Sequence, residues 1–232
     1  MFHFKQFSVS HDRCAMKVGT DGVLLGAWAD VENKASILDV GTGTGLIALM
    51  AAQRNPLAYI TAIDIDIDAV EQARENVAAS PWSDRIKVLS CDFNRPFKTF
   101  HDERFDLIVS NPPFFKEQVH SDDTQRDLAR SADALPLKTL LANAARLLAP
   151  DGILSLILPA QVVDEAIGEG ALCGLYISRR CTIRAKATKP SKRTLLEFSK
   201  SMKNTENTEL ILTDADNQRS DEYRILTEAF YL

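Results

Sequence analysis

No stretch of this sequence stays apolar long enough to span a membrane. "GILSLILPA" (152–160) is broken by Ser155 and Pro159, well short of the ~20 residues a span requires. The start, "MFHFKQFSVSHDR", lacks the charged head, apolar centre and small-residue cleavage site of a secretion signal, so a cytoplasmic location is expected. Cysteine is scarce and unpatterned. Cys14, Cys91, Cys173 and Cys181 show no CxxC spacing and read as free thiols. His3, His11, His101 and His120 make no ligand pattern either, and metal chemistry is not expected. There is no internal repeat and no low-complexity tract.

What remains is an ordinary globular composition: 232 residues, 45% hydrophobic and 25% charged, room for one large domain. Charge is spread unevenly. Residues 179–203, "RRCTIRAKATKPSKRTLLEFSKSMK", hold nine Lys/Arg against one acid, Glu197, a local balance of +8 in a chain of net −5. The remainder therefore carries −13. Such a stretch suits a polyanion, or else it guards a sheet edge with solvated lysines.

Strand-like and helix-like segments alternate. Short apolar runs at 35–40, 58–64, 86–92, 104–110 and 153–159 read as strands. Between them, 45–55, 68–80 and 135–152 have helical spacing, the last closed by a Pro-Asp-Gly turn, and 161–174 follows as another helix. This order predicts an α/β fold, a Rossmann-like doubly wound sheet, mostly parallel, with helices on both faces. "YISRRCTIRA" and "RTLLEFSKS", joined by "KATKPSK", predict an antiparallel hairpin and bring the count to seven strands. Residues 18–31 predict a short helix capped by Thr20 or Asp21. The organisation expected is a single domain over 1–232, with an N-terminal cap (1–34), a core (35–200) and a C-terminal extension (201–232).

After the first of these strands comes "DVGTGTG" (39–45), whose glycines 41, 43 and 45 permit positive φ and close approach of a ligand to the backbone. Asp64 ends the second strand 19 residues after Gly45, where a carboxylate can bind ribose hydroxyls. A dinucleotide fingerprint would need GxGxxG, but Leu46 stands where the last glycine belongs, which argues against NAD or FAD. Asp39 ahead of the glycines suits a cofactor with positive charge and no pyrophosphate. S-adenosylmethionine has an ammonium, a sulfonium and an adenosine. Asp92, ending the third strand, can meet the adenine amino group or simply cap the strand; Asp39 can likewise cap the following helix.

"DVGTGTG", "AID", "CDF" and "SNPPF", in this order at strand ends, resemble the class I S-adenosylmethionine-dependent methyltransferases with an Asn-Pro-Pro-aromatic motif. "FKQFSVSHDRCAMKVGTDGVLLGAW" and "SDEYRILTEAFYL" resemble one subfamily, bacterial methyltransferases that modify N6 of adenosine 37 in valine tRNA. The resemblance implies a tRNA substrate, with Thr20 and Asp21 near the methionine end of the donor. It implies that Asn111 and Pro112 supply acceptors to an amine and that Phe114 stacks on the extruded base. An exocyclic amine is a poor nucleophile, its lone pair delocalised into the ring. Two carbonyls fixed by consecutive prolines would favour its pyramidal form. Phe115 is either a core anchor of the loop or a substrate contact. "HSDDTQRDLARSAD" (120–133) is expected to be a lid, with Arg126 and Arg130 meeting phosphates or pairing with Asp122, Asp123 and Asp127. Given an RNA substrate, Lys186, Lys189, Lys192 and Arg193 are the candidate phosphate contacts.

The expectation is thus a monomeric enzyme acting on tRNA, with neither metal nor membrane as partner. Its rivals act on a DNA adenine, on N2 of a ribosomal RNA guanine or on a protein glutamine amide. A non-catalytic cofactor-binding module and a Rossmann oxidoreductase complete the alternatives.

Overall fold

A computed structural model describes residues 1–14, 17–112 and 135–232. Ten strands and six α-helices are seen among them. A short antiparallel ribbon, β1 (Phe2–His3) with β2 (Ser8–Val9), precedes helix α1 (Thr20–Trp28). Then follow β3 (Ser36–Val40), α2 (Leu46–Arg54), β4 (Tyr59–Asp64), α3 (Ile67–Ala78), β5 (Ile86–Ser90) and β6 (Phe105–Ser110). The second half comprises α4 (Leu137–Leu147), β7 (Leu148–Pro159), α5 (Val163–Leu172), β8 (Tyr176–Arg184), β9 (Arg193–Ser199), β10 (Glu206–Ile211) and α6 (Asp221–Thr227).

Eight strands form one sheet in the order β10-β8-β9-β7-β6-β3-β4-β5. From β7 to β5 every pair is parallel, because each connection carries the chain back along a face of the sheet. β9 runs against both β7 and β8, as the predicted hairpin requires. The expected count of seven is corrected to eight by β10, which lies parallel to β8 at the edge. Its sequence, "ENTELI", hid it: only Leu210 is buried, so no alternation of apolar residues marks the strand.

The doubly wound architecture holds. One face is covered by α1, α2, α3 and α6 around Leu25, Leu49, Met50, Ile60 and Phe230. The other is covered by α4 and α5 around Leu140, Leu141, Leu154, Leu196 and Phe198. On α3, Ala69, Val70, Ala73 and Val77 recur at helical spacing and face the sheet.

Two local expectations fail for identifiable reasons. The helix expected to reach residue 152 stops at Leu147, and Pro150-Asp151-Gly152 lie within β7. Pairing there jumps from Phe105–Leu148 to Leu107–Ile153, so 149–152 bulge out of the ladder, where a proline without an N–H is tolerated. Neither Thr20 nor Asp21 caps α1; the N-cap is Gly19, and no side chain bonds the helix end.

Candidate active site

The chain leaves β3 toward β4 and β5 on one side, then returns to place β6 and β7 on the other. Ligands in open α/β sheets bind at such a reversal, beyond the carboxyl ends of the strands. Two of the singled-out segments meet there. Val40, the last residue of β3, is paired with Ser110, the last of β6, and the Ser110 hydroxyl donates to the Val40 carbonyl at 2.8 Å. The glycine loop and Asn111 therefore begin side by side.

The loop is pinned to the end of β4. Gly41 and Thr42 both donate backbone N–H groups to the Ile63 carbonyl at 2.9 Å, and Gly43 N–H donates to Asp64 Oδ2 at 2.8 Å. Gly41, Gly43 and Gly45 have φ of +69°, +54° and +81°, the left-handed region in which a side chain is strained. A Cβ added at Gly41 or Gly43 would meet nothing within 4 Å among the described residues, so the loop faces an open cradle there. At Gly45 it would lie 3.4 Å from Ala73 Cβ, and this glycine serves packing against α3.

Asp39 is fully buried below the loop. Its Oδ2 accepts from Thr42 Oγ1 at 2.6 Å and from Ala48 N–H at 3.2 Å, so it does help to fasten α2. Oδ1 has no partner among the described residues. Burial pushes this carboxyl up to about 7. Burial also raises Asp64, opposed by the amides of Asp66 and Gly43. Asp92 lies two residues past β5, its Oδ1 accepting from Asn94 N–H at 2.8 Å, and Cys91 N–H donates to the Asp64 carbonyl at 2.9 Å. The three carboxylates thus stand at the ends of adjacent strands. An open glycine cradle, an unpartnered buried carboxylate oxygen and a second carboxylate beside the loop fit a cationic donor bearing a ribose.

Beyond β6, Asn111 is partly exposed and Pro112 buried. Phe114 and Phe115 lie outside the described residues, as do the expected lid at 120–133 and Arg126 and Arg130. Thr20 is exposed at the first turn of α1, and next to it Gly22 packs against α2, its would-be Cβ 3.1 Å from Leu46 Cδ2. Asp21 accepts from Arg193 Nε at 2.7 Å. Arg193 is thus held by an acid, and Lys186 donates to Asn217 Oδ1. The exposed Lys189 and Lys192 make no side-chain bond among the described residues. All four lie on the carboxyl rim, because β9 begins beside Pro159, the end of β7.

The basic stretch is less bare than its count suggests. Arg179 pairs with the buried Glu197 at 3.1 Å and stacks on Trp28, 4.3 Å from the ring centre. Arg184 pairs with Glu209 at 2.5 Å.

Sequence reasoning passed over Gln72 and Asn76, which are 1% and 4% exposed on α3, facing the N-terminal segment and the glycine loop. Asn76 Nδ2 donates to the carbonyls of Ser10 and Thr44, both at 2.9 Å, while its Oδ1 accepts from Ser10 N–H at 2.9 Å. Gln72 Oε1 accepts from Arg13 N–H at 3.3 Å. The available signal was two amides, four residues apart, on an apolar helix face.

A groove of about 450 Å³ lined by Lys5, Ala27, Arg54 and Phe230 lies near the C-terminal ends of α1 and α2, away from these residues. Concavity by itself would misdirect the search.

A sheet wound in this order, with this cradle at its reversal and an Asn-Pro step one strand away, defines an S-adenosylmethionine-dependent methyltransferase of class I. The chain belongs to the methyltransferase small domain family, whose model matches residues 15–169. It is 50% identical, over all of this chain and 97% of the relative, to a tRNA1(Val) (adenine(37)-N6)-methyltransferase from Phocaeicola vulgatus. A protein of the same name from Tolumonas auensis is 44% identical over all of this chain and 96% of its own length. Among solved structures, a predicted O-methyltransferase from Agrobacterium tumefaciens superposes with a TM-score of 0.68 at 21% identity, covering 90% of this chain and 96% of that one. TrmN from Thermus thermophilus gives 0.54 at 23%, covering 78% and 48%. At these identities the structural likeness is one of fold.

Proposed function

We propose that this chain methylates N6 of adenosine 37 in tRNA1(Val), using S-adenosylmethionine. The observation that carries the methyl-transfer chemistry is the Val40–Ser110 pairing, which starts the donor loop and the Asn-Pro step at adjacent points of one rim. The choice of substrate is supported by the relatives' names together with the lysines on the same rim.

Bound in the cradle, the donor supplies an electrophilic methyl group on a sulfonium. The chain's own part is positioning and charge. Asp64 is placed to accept from ribose hydroxyls, Asp92 to meet the adenine end, and the free oxygen of Asp39 to face the cationic end. The Asn111 side-chain carbonyl and the Pro112 backbone carbonyl accept the two N6 hydrogens, drawing the lone pair out of the ring. Pro112 biases Asn111 to an extended backbone and holds its direction. Phe114 offers the base a stacking surface, worth about 1–3 kcal/mol. These acceptors would hold the amine in line with the donor's methyl carbon, and the proton shed by the methylated nitrogen would pass to water. No group with a shifted pKa has to remove that proton before attack. Lys189 and Lys192 neutralise backbone phosphates, with Lys186 beside them. In this reading the protein is a cytoplasmic monomer and residues 1–232 act as one domain.

The test is transfer of labelled methyl to total tRNA from a strain lacking the gene, mapped by nuclease digestion and mass spectrometry. N6-methyladenosine at position 37 of tRNA1(Val) is expected. Label in DNA, in ribosomal RNA alone, or at another tRNA position would overturn the substrate assignment.

A further inference from the structure

The N-terminal segment is not loosely draped over the molecule. Phe4, Phe7 and Val9 are buried, with Phe4 and Phe7 stacked 4.6 Å apart and Phe7 edge-on to Trp82 at 5.7 Å. Beyond Val9 no apolar residue among those described is buried until α1, and the backbone passes to polar anchors on α3. Asn76 uses every one of its hydrogen-bonding groups except one lone pair. It grips Ser10 in both directions, and its second N–H holds the carbonyl of Thr44 inside the glycine loop. One buried side chain therefore joins three segments: residue 10, residue 44 and α3. Gln72, one turn earlier, takes the Arg13 N–H. Cys14 comes next, and its thiol is pushed up to about 11 by burial and then by the carboxylates of Asp64, Asp66, Asp12 and Asp68. The segment thus runs from the glycine loop, reached through Asn76 at Ser10, along α3 to Gln72 at Arg13.

We propose that Asn76, assisted by Gln72, is a positioning residue for the methyl donor. It holds residues 10–14 as a fixed wall beside the glycine loop and fixes the loop against that wall. This rests on the donor site described above. Asn76 touches neither the donor's reacting atoms nor the amine, so its loss should weaken donor binding and leave the chemical step alone. An apolar residue here could fill the space but could not join the segments of the clamp, since one buried and two part-buried backbone groups would lose their partners.

The experiment uses the full-length protein, with S-adenosylhomocysteine as the calorimetric probe and iodoacetamide alkylation of Cys14 followed by peptide mass spectrometry. Asn76→Ala is expected to weaken S-adenosylhomocysteine about tenfold. It should speed Cys14 alkylation without ligand by a similar factor, while kcat at saturating donor stays within about twofold of wild type. Asn76→Asp keeps the acceptor for Ser10 and loses both donors, and Gln72→Ala loses the Arg13 bond together with a 3.4 Å bond to Glu75. Both should move the same two readouts in the same direction, so the inference is testable even where Asn76→Ala fails to fold. Unchanged affinity and unchanged Cys14 reactivity in folded variants would overturn the inference. Absence of S-adenosylhomocysteine binding to wild type would overturn the donor site itself. Alkylation without ligand reads the clamp independently of that.

Discussion

Asp21 and Arg193, separated by 172 residues, are joined by a 2.7 Å hydrogen bond between a carboxylate and a guanidinium. The pair ties the first turn of α1, which packs on the start of α2, to the first residue of β9, beside the end of β7. It walls the β7 side of the rim and gives Arg193 a resident partner. Half-exposed pairs of this kind contribute about 0.2–1 kcal/mol, so the expected role is geometric. The double variant Asp21→Asn/Arg193→Gln removes the pair without changing net charge. It should leave the salt dependence of tRNA binding unchanged. Lys189→Gln/Lys192→Gln should lower the slope of log K against log salt by about 1–2. Filter binding across a salt series distinguishes the two.

Asn111→Ala should separate chemistry from donor binding. Removal of one preorganised acceptor is expected to lower kcat by about 100-fold or more. Calorimetric affinity for S-adenosylhomocysteine should stay at the wild-type value. A parallel loss of that affinity would show that Asn111 belongs to the donor site.

Asp39 links stability to pH. Burial lifts its carboxyl from 3.8 to about 7, so between those values the native chain holds a proton that the unfolded chain has released. Stability from this group therefore declines as pH rises through that window, and is level outside it. Asp39→Asn keeps an oxygen for Thr42 and Ala48 and should abolish the decline, seen as a flatter profile of Tm against pH. A cation bound beside Asp39 favours its ionised form, so donor affinity should rise toward pH 7 with release of a proton. Calorimetry in two buffers of different ionisation enthalpy measures that release.

The glycines should divide by function. Gly43→Ala and Gly45→Ala both force a side chain into positive φ and should each cost about 1–2 kcal/mol in urea unfolding. Gly43→Ala also places a methyl group in the open cradle and should weaken S-adenosylhomocysteine about tenfold. Gly45→Ala meets Ala73 instead, and its effect should fall mainly on stability.

Much of this was legible because the relevant residues obey local rules. Parallel strands buried on both faces read as short apolar runs, and three glycines at alternate positions announce a turn that must adopt positive φ. What escaped depended on pairing across long separations. β10 shows its partner a backbone, with Leu210 as its single buried side chain. The bulge at 149–152 follows from its register with Phe105. Asn76 looks like any polar helix residue until Ser10 and Thr44 arrive on either side of it.

The rim described above is electrically divided: Asp39, Asp64 and Asp92 stand at the carboxyl ends of β3, β4 and β5, while Lys189 and Lys192 precede β9 at the other end. On the proposed reading, a cationic donor is favoured at the acidic end and a polyanionic RNA at the basic one. Transfer also erases one of those attractions, since the sulfonium charge disappears with the methyl group.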